Sequence, residues 1–316
     1  PPPPPVFFFK QKPASPILSG LVGSEMCIRD RLRPVIGAEI HGAVLHDLDE
    51  SQYQDIWQAF TDHSVIFFHD QAKLSPEQQT AFAQRFGEIH IHPAARGKET
   101  QHPGLMNMKV GKDTEVAAGN RWHSDVSCDA ESPQASILQL HTIPTLGGDT
   151  LFSSLYAAYD ALSSAMKIYL DGLTAKHSGE EPFHNLFKFK NSVADDWPEN
   201  DHPIVRKHVD SGRPALFVDR EFTQSINDIP KDEGRALLDF LFNHTERVAF
   251  QCRFRWSENA VAIWDNRCVL HHAMWDYWPD ERLGRRITVK GERPVAWHLG
   301  EDTLPDKTLG VVKLSQ

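Results

Sequence analysis

Several features that define large functional classes are missing or scarce in this sequence. Its four cysteines include no close pair, so they form neither a zinc-type CxxC motif nor a dense disulfide framework, and we expect a reducing, cytoplasmic compartment. No apolar run is long enough to span a membrane. The formal net charge of -10 argues against a general nucleic-acid binder, which would need a basic face. A glycine-rich phosphate loop is also lacking, which argues against a dinucleotide-binding fold.

Residues 1–31 differ in character from the rest of the chain. They contain a proline run, a phenylalanine run and no clean amphipathic period, and the apolar segment PILSGLVG is too weak for a targeting peptide. The stretch LVGSEMCIRDR is similar to translated sequencing-adaptor sequence. We therefore expect residues 1–31 to be a disordered, non-native leader, and residues 32–316 to form the functional domain.

From Leu32 onward, short strand patterns alternate with a few helices. Hydrophobic residues make up 40% of the chain, enough for a sizeable core. Segment 75–87 predicts a well-bounded helix, because Ser75 can cap its first turn and Gly87 can end it. Many short strands with inserted helices predict a mainly β fold of the β-sandwich or jelly-roll type. We expect further helices over 48–61, 153–172 and 231–244, and strands over 34–45, 65–70, 134–143, 250–256, 260–266 and 285–291.

The heptapeptide RWHSDVS places His123 and Asp125 two residues apart. Alternate residues of a strand point to the same face, so both side chains could reach one ion if the segment is extended. A third ligand could come from His271 or His272 in the downstream segment WDNRCVLHHA, and only one of these neighbours should face the ion. Two histidines and one carboxylate suit iron(II) and leave positions open for substrate and oxygen, whereas zinc is a weaker fit.

Two arginines, Arg282 and Arg286, follow this segment. A guanidinium near a metal suits a dicarboxylate ligand, whose one end chelates the ion while the other end meets the arginine. Taken singly, these residues have ordinary alternatives, namely a chance His-x-Asp pair and surface arginines. Their combination favours a metal site that also binds an organic anion.

These segments resemble the taurine dioxygenase-like family of iron(II)- and 2-oxoglutarate-dependent oxygenases. The resemblance covers about residues 33–295, and the motifs that carry it are RFGEIHIHP, WHSDV, GGDTLFSS, ALFVDREFT, FQCRFRW, IWDNRCVLHHA and RRITVKGERP. It implies a double-stranded β-helix, a cupin-like variant of the jelly roll, as the core of the fold. It also implies that 2-oxoglutarate and O2 yield succinate and CO2 while a small molecule is hydroxylated.

The resemblance also implies roles for individual residues. It makes His123, Asp125 and His271 the catalytic Fe(II) ligands, and the distance to the following Asp-Tyr and proline selects His271 over His272. The other implied contacts are Thr150 and Arg282 for the distal carboxylate of 2-oxoglutarate, and His92, Val126, Phe222 and Arg286 for the prime substrate.

The sequence departs from the family pattern at three positions. Ala95 stands where the best-known member has a tyrosine, Gly119 replaces an asparagine, and a pocket phenylalanine is missing near Gly179. These changes remove contacts that recognise taurine and argue against taurine as the substrate. His92 and Arg286 still favour an anion, such as another sulfonate, a sulfate ester or a carboxylate. Halogenation is disfavoured, because the aspartate ligand fills the position that a halide would need.

Two other functional classes compete with the dioxygenase. A non-catalytic jelly-roll protein could bind metal and 2-oxoglutarate through the same residues, and succinate release would separate the two. A zinc hydrolase would work without 2-oxoglutarate, but no further general base supports it. We expect a small-molecule substrate, 2-oxoglutarate and O2 as partners, with neither nucleic acid nor membrane. An exposed sheet edge or helix face could support a homodimer or tetramer.

Overall fold

Residues 27–32, 34–97, 99–186 and 197–300 are described by the computed structural model. Within them, short strands predominate and helices are inserted between them, as the sequence predicts. The α-helices are α1 (Glu50–His63), α2 (Pro76–Gln84), α3 (Leu155–Asp160), α4 (Ser164–Leu170) and α5 (Lys231–Thr245). The strands are β1 (Cys27–Arg31), β2 (Ala38–His41), β3 (Val65–Phe68), β4 (Leu105–Val110), β5 (Ala135–Thr142), β6 (Thr150–Ser154), β7 (Thr174–Ser178), β8 (Glu199–Pro203), β9 (Val205–Lys207), β10 (Pro214–Leu216), β11 (Thr223–Ile226), β12 (Gln251–Phe254), β13 (Val261–Asp265), β14 (Val269–Ala273), β15 (Arg282–Val289) and β16 (Val295–Ala296). Short 3-10 helices cover Pro93–Ala95 and Val248–Phe250, and a π-helix covers Glu180–Leu186.

A seven-stranded sheet is the largest layer, with the strand order β1-β2-β3-β13-β5-β15-β4. Strand β13 lies inside this sheet and is buried on both faces. Val261 and Ile263 belong to the apolar cluster that includes α1 and α2, while Ala262 and Trp264 belong to the cluster on the other face. Burial of both faces explains the continuous apolar run of this strand, where a half-exposed strand would alternate with polar residues.

A three-stranded sheet, ordered β12-β6-β14, packs across the core from the large sheet. The ring of Phe152 in β6 lies 5.7 Å from that of Trp264 in β13, and Phe254 in β12 stacks on Phe67 in β3 at 4.1 Å, both measured between centroids. The two sheets thus enclose one apolar core and form the double-stranded β-helix that the resemblance implies. None of the helices in the described part of the chain is both long and apolar enough to cross a lipid bilayer.

A buried ionic cluster fixes the turn between β13 and β14. Arg267 donates to both carboxylate oxygens of Asp265, at 2.9 and 2.7 Å, and Nε2 of His208 lies 2.9 Å from the same carboxylate. His208 directly follows β9, in the small sheet β10-β9-β16. A third small sheet, β11-β7-β8, completes the fold. The ionic cluster therefore ties the β13–β14 turn, and the strand after it, to a neighbouring sheet.

Two of the predicted helices illustrate how local signals set their ends. Ser75 caps α2 as predicted, and its hydroxyl accepts a hydrogen bond from the backbone N–H of Gln78 at 3.1 Å. The helix ends at Gln84, before Gly87. The prediction of one helix over 153–172 is wrong, because Ser163 caps a new helix, α4, and the segment's first two residues belong to strand β6.

The leader also differs from expectation where the structure describes it. Cys27–Arg31 forms β1, which pairs antiparallel with β2 and so extends the large sheet. The expected disorder is wrong for these five residues, because their backbone groups find partners on the edge of β2. Residues 1–26 and the C-terminal part from residue 301 lie outside the described residues. The predicted boundary of the non-native leader therefore stays a prediction.

Candidate active site

His123 and His271 lie opposite each other on neighbouring backbone segments. The backbone N–H of each donates to the carbonyl of the other, at 3.1 and 2.9 Å, which makes an isolated antiparallel bridge. Both side chains are buried, and their ring centroids are 4.0 Å apart. His271 belongs to β14, which pairs with β6. The register of β14 against β6 therefore determines where this imidazole points.

Asp125 begins a turn and does not continue a strand, so the condition that the segment is extended does not hold beyond the His123 bridge. Val126 adopts a positive φ of 48°, an uncommon conformation for a β-branched residue, which bends the chain. The Asp125 carboxylate accepts hydrogen bonds from Ser136 Oγ at 2.6 Å and from Arg286 Nη1 at 2.5 Å. The turn and the adjacent strands, rather than strand alternation, bring this carboxylate to the two imidazoles.

The three side chains form a compact set of potential ligands. Nε2 of His123 lies 3.7 Å, and Nε2 of His271 3.8 Å, from Oδ1 of Asp125, and the ligand atoms of the set lie within 4.8 Å of one another. Metal–ligand bonds of about 2.0–2.2 Å place adjacent ligand atoms roughly 3–4 Å apart, so this set fits one ion. Nδ1 of His123 lies 2.8 Å from the carbonyl of Arg121, a contact that orients the ring and leaves Nε2 for a metal.

His272, the neighbour of His271, lies outside this set. Its ring lies 5.5 Å from that of Trp122, and its side chain is only partly buried. The prediction that adjacent strand residues face opposite ways is confirmed here. The choice of His271 over His272 agrees with this geometry.

The charges of the cluster depend on one another. Burial alone would raise the pKa of the Asp125 carboxyl, but Arg286 and both imidazoles hold it well below its ordinary value. Burial, and then the charge of His123, keep the pKa of His271 well below its usual range. Burial also opposes a charge on His123, yet the carboxylates of Glu221 and Asp125 raise its pKa to about 9. A metal ion that binds here must therefore displace a proton from His123.

The cluster opens into a cavity with largely apolar walls. Such walls with a few polar groups directed inward are typical of a site for small molecules. The nine residues that the sequence predicts for the site all line this one cavity. The lining residues are His92, Met106, Met108, Ala118, Gly119, His123, Asp125, Val126, Leu138, Thr150, Phe183, Glu221, Phe222, Trp264, His271, Ala273, Arg282 and Arg286.

Arg282 is a buried cation in the wall of this cavity, only 5% exposed. Its Nη2 donates to Thr150 Oγ1 at 3.2 Å, and the indole N–H of Trp256 donates to the same oxygen at 3.0 Å. No carboxylate of the described residues pairs with Arg282, and its Nε has no hydrogen-bond partner among them. Burial lowers its pKa to about 10, so it stays protonated at neutral pH. A buried cation without a counterion is costly, and this one fits an anionic ligand.

Arg286 lies four residues further along β15 and also lines the cavity. Its Nη1 donates to Asp125, and its Nη2 lies 3.8 Å from the sulfur of Met106. The sequence predicts a contact between Arg286 and the prime substrate, whereas here the guanidinium also holds the carboxylate of the ligand set. Arg286 therefore connects the expected substrate wall to the ligand set.

His92 lies on the same side of the cavity and is 5% exposed. Its Nδ1 accepts a hydrogen bond from the backbone N–H of Ala94 at 3.1 Å, and its ring lies 4.9 Å from that of Phe183. Burial, and then the charge of Arg286, lower the pKa of His92 to about 3. His92 is therefore neutral near pH 7, and Arg286 is the cation of this wall.

Val126 and Phe222 form part of an apolar wall, each 2% exposed. The ring of Phe183 lies 5.5 Å from that of Phe222 and lines the same cavity. A Cβ atom added to Gly179 would lie 2.8 Å from the Phe183 ring. Phe183 therefore occupies the space beside Gly179. The sequence suggests that a pocket phenylalanine is missing there, and Phe183, from the π-helix, supplies an aromatic ring to that wall.

A sequence model described as the taurine catabolism dioxygenase TauD, TfdA family matches residues 29–288 of this chain. The chain belongs to this family. It is 34% identical over 273 residues to an alpha-ketoglutarate-dependent sulfate ester dioxygenase from Pseudomonas putida, with 82% of this chain and 88% of that protein covered. It is 31% identical over 277 residues to an alpha-ketoglutarate-dependent sulfonate dioxygenase from Saccharomyces cerevisiae, with 84% of this chain and 67% of that protein covered.

The TauD, TfdA family assignment extends to the fold. The crystal structure of a taurine dioxygenase from Burkholderia xenovorans superposes with a TM-score of 0.71 at 34% identity, covering 83% of this chain and 89% of that one. The chain is thus a 2-oxoglutarate-dependent dioxygenase, an oxidoreductase that takes Fe(II), 2-oxoglutarate and a small-molecule substrate. Its set of two imidazoles and one carboxylate suits iron(II).

Sequence reasoning missed one buried carboxylate of this TauD-family site. Glu221 is 5% exposed and lines the cavity. Burial raises the pKa of its carboxyl, although the charges of His123 and Arg121 oppose the shift. The residue precedes Phe222 in the quoted motif ALFVDREFT, but a single glutamate in a loop is usually solvated, so the sequence offers no signal for its burial.

Proposed function

We propose that this dioxygenase hydroxylates a small anionic molecule, such as a sulfonate, a sulfate ester or a carboxylate. The observation that carries the proposal is that two arginines, Arg282 and Arg286, line one buried cavity together with the three-residue ligand set. One guanidinium can meet 2-oxoglutarate and the other the substrate. The names of the Pseudomonas putida and Saccharomyces cerevisiae relatives, which refer to sulfate esters and sulfonates, support this substrate class.

His123, Asp125 and His271 hold the iron in this proposal. Their atoms fit one ion, and the protein keeps the carboxylate ionised for it. Ser136 fixes the second carboxylate oxygen, so Oδ1 remains directed at the imidazoles. Bound Fe(II) and 2-oxoglutarate supply the oxidising chemistry, in which O2 is consumed and succinate and CO2 are released. The side chains around them position the ligands and exclude water.

Arg282 and Thr150 bind the distal carboxylate of 2-oxoglutarate in this proposal. The guanidinium is charged, buried and short of a counterion, and the Thr150 hydroxyl beside it can turn toward an incoming carboxylate. Trp256 donates to the Thr150 oxygen and lies 5.6 Å beneath the guanidinium, so both groups are held before the ligand arrives. Such preorganisation reduces the ordering cost of binding.

Arg286 and His92 bind the anionic group of the prime substrate, and Val126 and Phe222 pack against its carbon atoms. The neutral His92 contributes a hydrogen bond, while Arg286 contributes the charge. The buried aromatic wall keeps the reacting C–H bond in a dry environment. Hydroxylation of a carbon that bears sulfur or an ether oxygen would give a product that falls apart.

Anaerobic loading with Fe(II) and 2-oxoglutarate, followed by O2 and a panel of sulfonates, sulfate esters and carboxylates, tests this function. We expect succinate release that depends on at least one anion, with matching loss of that anion. Asp125→Ala is the control, because it removes the only carboxylate of the ligand set. Turnover with neutral compounds alone would overturn the anionic class. Tight 2-oxoglutarate binding without any succinate would favour the non-catalytic alternative.

We also propose a reducing, cytoplasmic location for the enzyme. Cys128 and Cys268 are buried free thiols in the described part of the chain. Such thiols persist most readily where disulfides do not form. Mass analysis of alkylated protein isolated from its native cells tests this location, because disulfide-linked cysteines there would contradict it.

The predicted dimer or tetramer stays a prediction that size-exclusion chromatography can test.

A further inference from the structure

Asn266 is a buried amide in the turn between β13 and β14, the strand that carries His271. Its backbone carbonyl accepts a hydrogen bond from Ser124 Oγ at 2.7 Å. Its side-chain Oδ1 accepts one from the backbone N–H of Asp125 at 3.3 Å. Asn266 therefore joins the turn before one member of the ligand set to the segment that supplies another.

The orientation of the Asn266 amide follows from the groups around it. Its Oδ1 also accepts a hydrogen bond from the indole N–H of Trp264, at 2.9 Å. The indole and the backbone N–H of Asp125 can only donate, so the amide oxygen must face them. The Nδ2 group therefore points the other way, where it donates to Ser136 Oγ at 2.8 Å.

Ser136 connects this amide to the Asp125 carboxylate. The residue is fully buried in β5, and it pairs with Trp264 of β13 in the large sheet. Its hydroxyl has a single hydrogen, and the N–H of Asn266 already occupies one lone pair of the oxygen. The ionised carboxylate can only accept, so this hydrogen is directed at Oδ2 of Asp125, 2.6 Å away. Three donors in series thus end on one oxygen of a potential metal ligand.

The other carboxylate oxygen, Oδ1, is the one that faces the imidazoles. It lies 3.7 Å from Nε2 of His123 and 3.8 Å from Nε2 of His271. Rotation of the Asp125 carboxylate away from this position would break the hydrogen bond to Ser136. Hydrogen bonds of this kind orient the ligands of metal sites. The indole of Trp264 also packs on His271, with 4.6 Å between ring centroids, so the series of donors begins beside one ligand and ends on another.

We propose that Asn266 is a positioning residue of the metal centre that acts through Ser136. It fixes the direction of the serine hydroxyl, and this hydroxyl holds Oδ2 of Asp125 so that Oδ1 is the atom presented to the ion. The inference rests on the ligand set of the proposed function. Neither Asn266 nor Ser136 is among the residues that line the cavity, so their effect should appear in metal binding itself.

Binding of Mn(II) to the metal-free protein tests this role, because it requires neither 2-oxoglutarate nor the prime substrate. We expect Ser136→Ala and Asn266→Ala each to weaken Mn(II) binding about tenfold to a hundredfold, the usual effect of removing a partner that orients a ligand. Because Asn266 acts through Ser136, the double variant should lose no more affinity than Asn266→Ala alone. Unchanged affinity in Ser136→Ala, or losses that add in the double variant, would overturn the inference.

Ser153→Ala is the matched control for the loss of a buried hydroxyl. Ser153 is as fully buried as Ser136, and its hydroxyl donates to the backbone carbonyl of Thr245, away from the ligand set. Urea unfolding of the metal-free variants should show a loss of stability in both serine variants, whereas only Ser136→Ala should lose Mn(II) affinity. Equal losses of Mn(II) affinity would show a general effect of packing and contradict the positioning role.

Asp125→Ala tests the ligand set separately. If this variant binds Mn(II) as tightly as the unaltered protein, the ligand set of the proposed function is wrong. If Asp125→Ala loses Mn(II) and Ser136→Ala does not, the ligand set stands and the positioning role alone is refuted. Ser136→Ala also decides the question if Asn266→Ala does not fold.

Discussion

His271 and His272 are adjacent residues with different surroundings. His271 is 5% exposed and lies 3.8 Å from the Asp125 carboxylate, whereas His272 packs beside Trp122. We expect His271→Ala to abolish stable iron binding and His272→Ala to reduce it little. Iron content and the anaerobic absorption band of the iron–2-oxoglutarate complex measure the difference. Equal losses, or a greater loss at His272, would show that the wrong histidine has been assigned.

Arg282 is assigned to 2-oxoglutarate and Arg286 to the prime substrate, so their alanine variants should weaken the binding of different ligands. A charged hydrogen bond in a partly dry pocket contributes about 1.5–3 kcal/mol, so Arg282→Ala should weaken 2-oxoglutarate binding roughly tenfold to a hundredfold. Arg286→Ala should leave that affinity largely intact and weaken the substrate, with more succinate released per product. Titration of 2-oxoglutarate into each iron-loaded variant shows which of the two arginines binds it.

The contact between Arg286 and Asp125 adds a control to that comparison. Removing Arg286 takes a partner from the carboxylate ligand, so iron content must be measured in the same samples. Arg286→Lys keeps the positive charge and should keep iron, while it loses the paired geometry that a sulfonate requires. Comparable loss of 2-oxoglutarate in the Arg286 and Arg282 alanine variants would refute the division of roles.

Strand β15 carries both arginines, and a close contact lies between them. The pairing of β15 with β5 shifts register between Leu283 and Gly284. A Cβ atom at Gly284 would lie 2.3 Å from the backbone oxygen of Gln139, so a side chain there must displace the neighbouring strand. Glycine is therefore required at this close approach of the two backbones.

We expect Gly284→Ala to destabilise the protein by about 1–3 kcal/mol, as overpacking of a well-packed region does. Because the register shift at Gly284 lies between Arg282 and Arg286, the affinity for 2-oxoglutarate should fall as well. Gly111→Ala is the matched control, since a Cβ there meets only the Glu281 side chain, at 3.4 Å and beyond. Urea unfolding and 2-oxoglutarate titration measure both effects. An alanine at position 284 without either effect would show that the two strands can separate freely.

At the level of elements, local signals predicted what local interactions determine. Caps such as Ser75 and the apolar run of β13 are encoded within a few residues, and the structure has both elements. Short strands such as β9 and β10, of three residues each, carry no periodic signal and were not predicted. Their existence depends on pairing with distant partners.

The residues of the site likewise fall into those that the sequence could predict and those that it could not. Residues in quoted motifs, such as His123 and Arg282, were predicted because several motifs occurred in the family's order. Glu221 and Phe183 were missed, because their importance depends on loops that the fold brings to the cavity. The turn at Asp125 was also missed, since a positive φ at Val126 is not expected for valine.

The whole molecule buries several histidines in neutral form around its core. Burial lowers the pKa of His202 to about 4, although the hydrogen bond to the Asp129 carbonyl at 3.0 Å partly opposes the shift. His177 is likewise buried, and burial keeps its pKa well below its usual range. These imidazoles gain protons when the chain unfolds in mildly acidic solution. The unfolded state then binds more protons than the folded state, so stability rises with pH in that range.

The low pKa of His202 makes the stability of the protein depend on pH. His202 contributes stability that is fully present above pH about 6.5 and is lost as the pH falls towards about 4. Its share of the slope is at most about 1.4 kcal/mol per pH unit. His202→Gln keeps an amide donor for the Asp129 carbonyl but cannot be protonated, so its unfolding free energy in urea should fall less steeply between these limits. His46→Gln, at an exposed position, is the control and should keep the slope of the unaltered protein. Identical slopes for His202→Gln and the unaltered protein would mean that His202 is already protonated in the folded state, contrary to its burial.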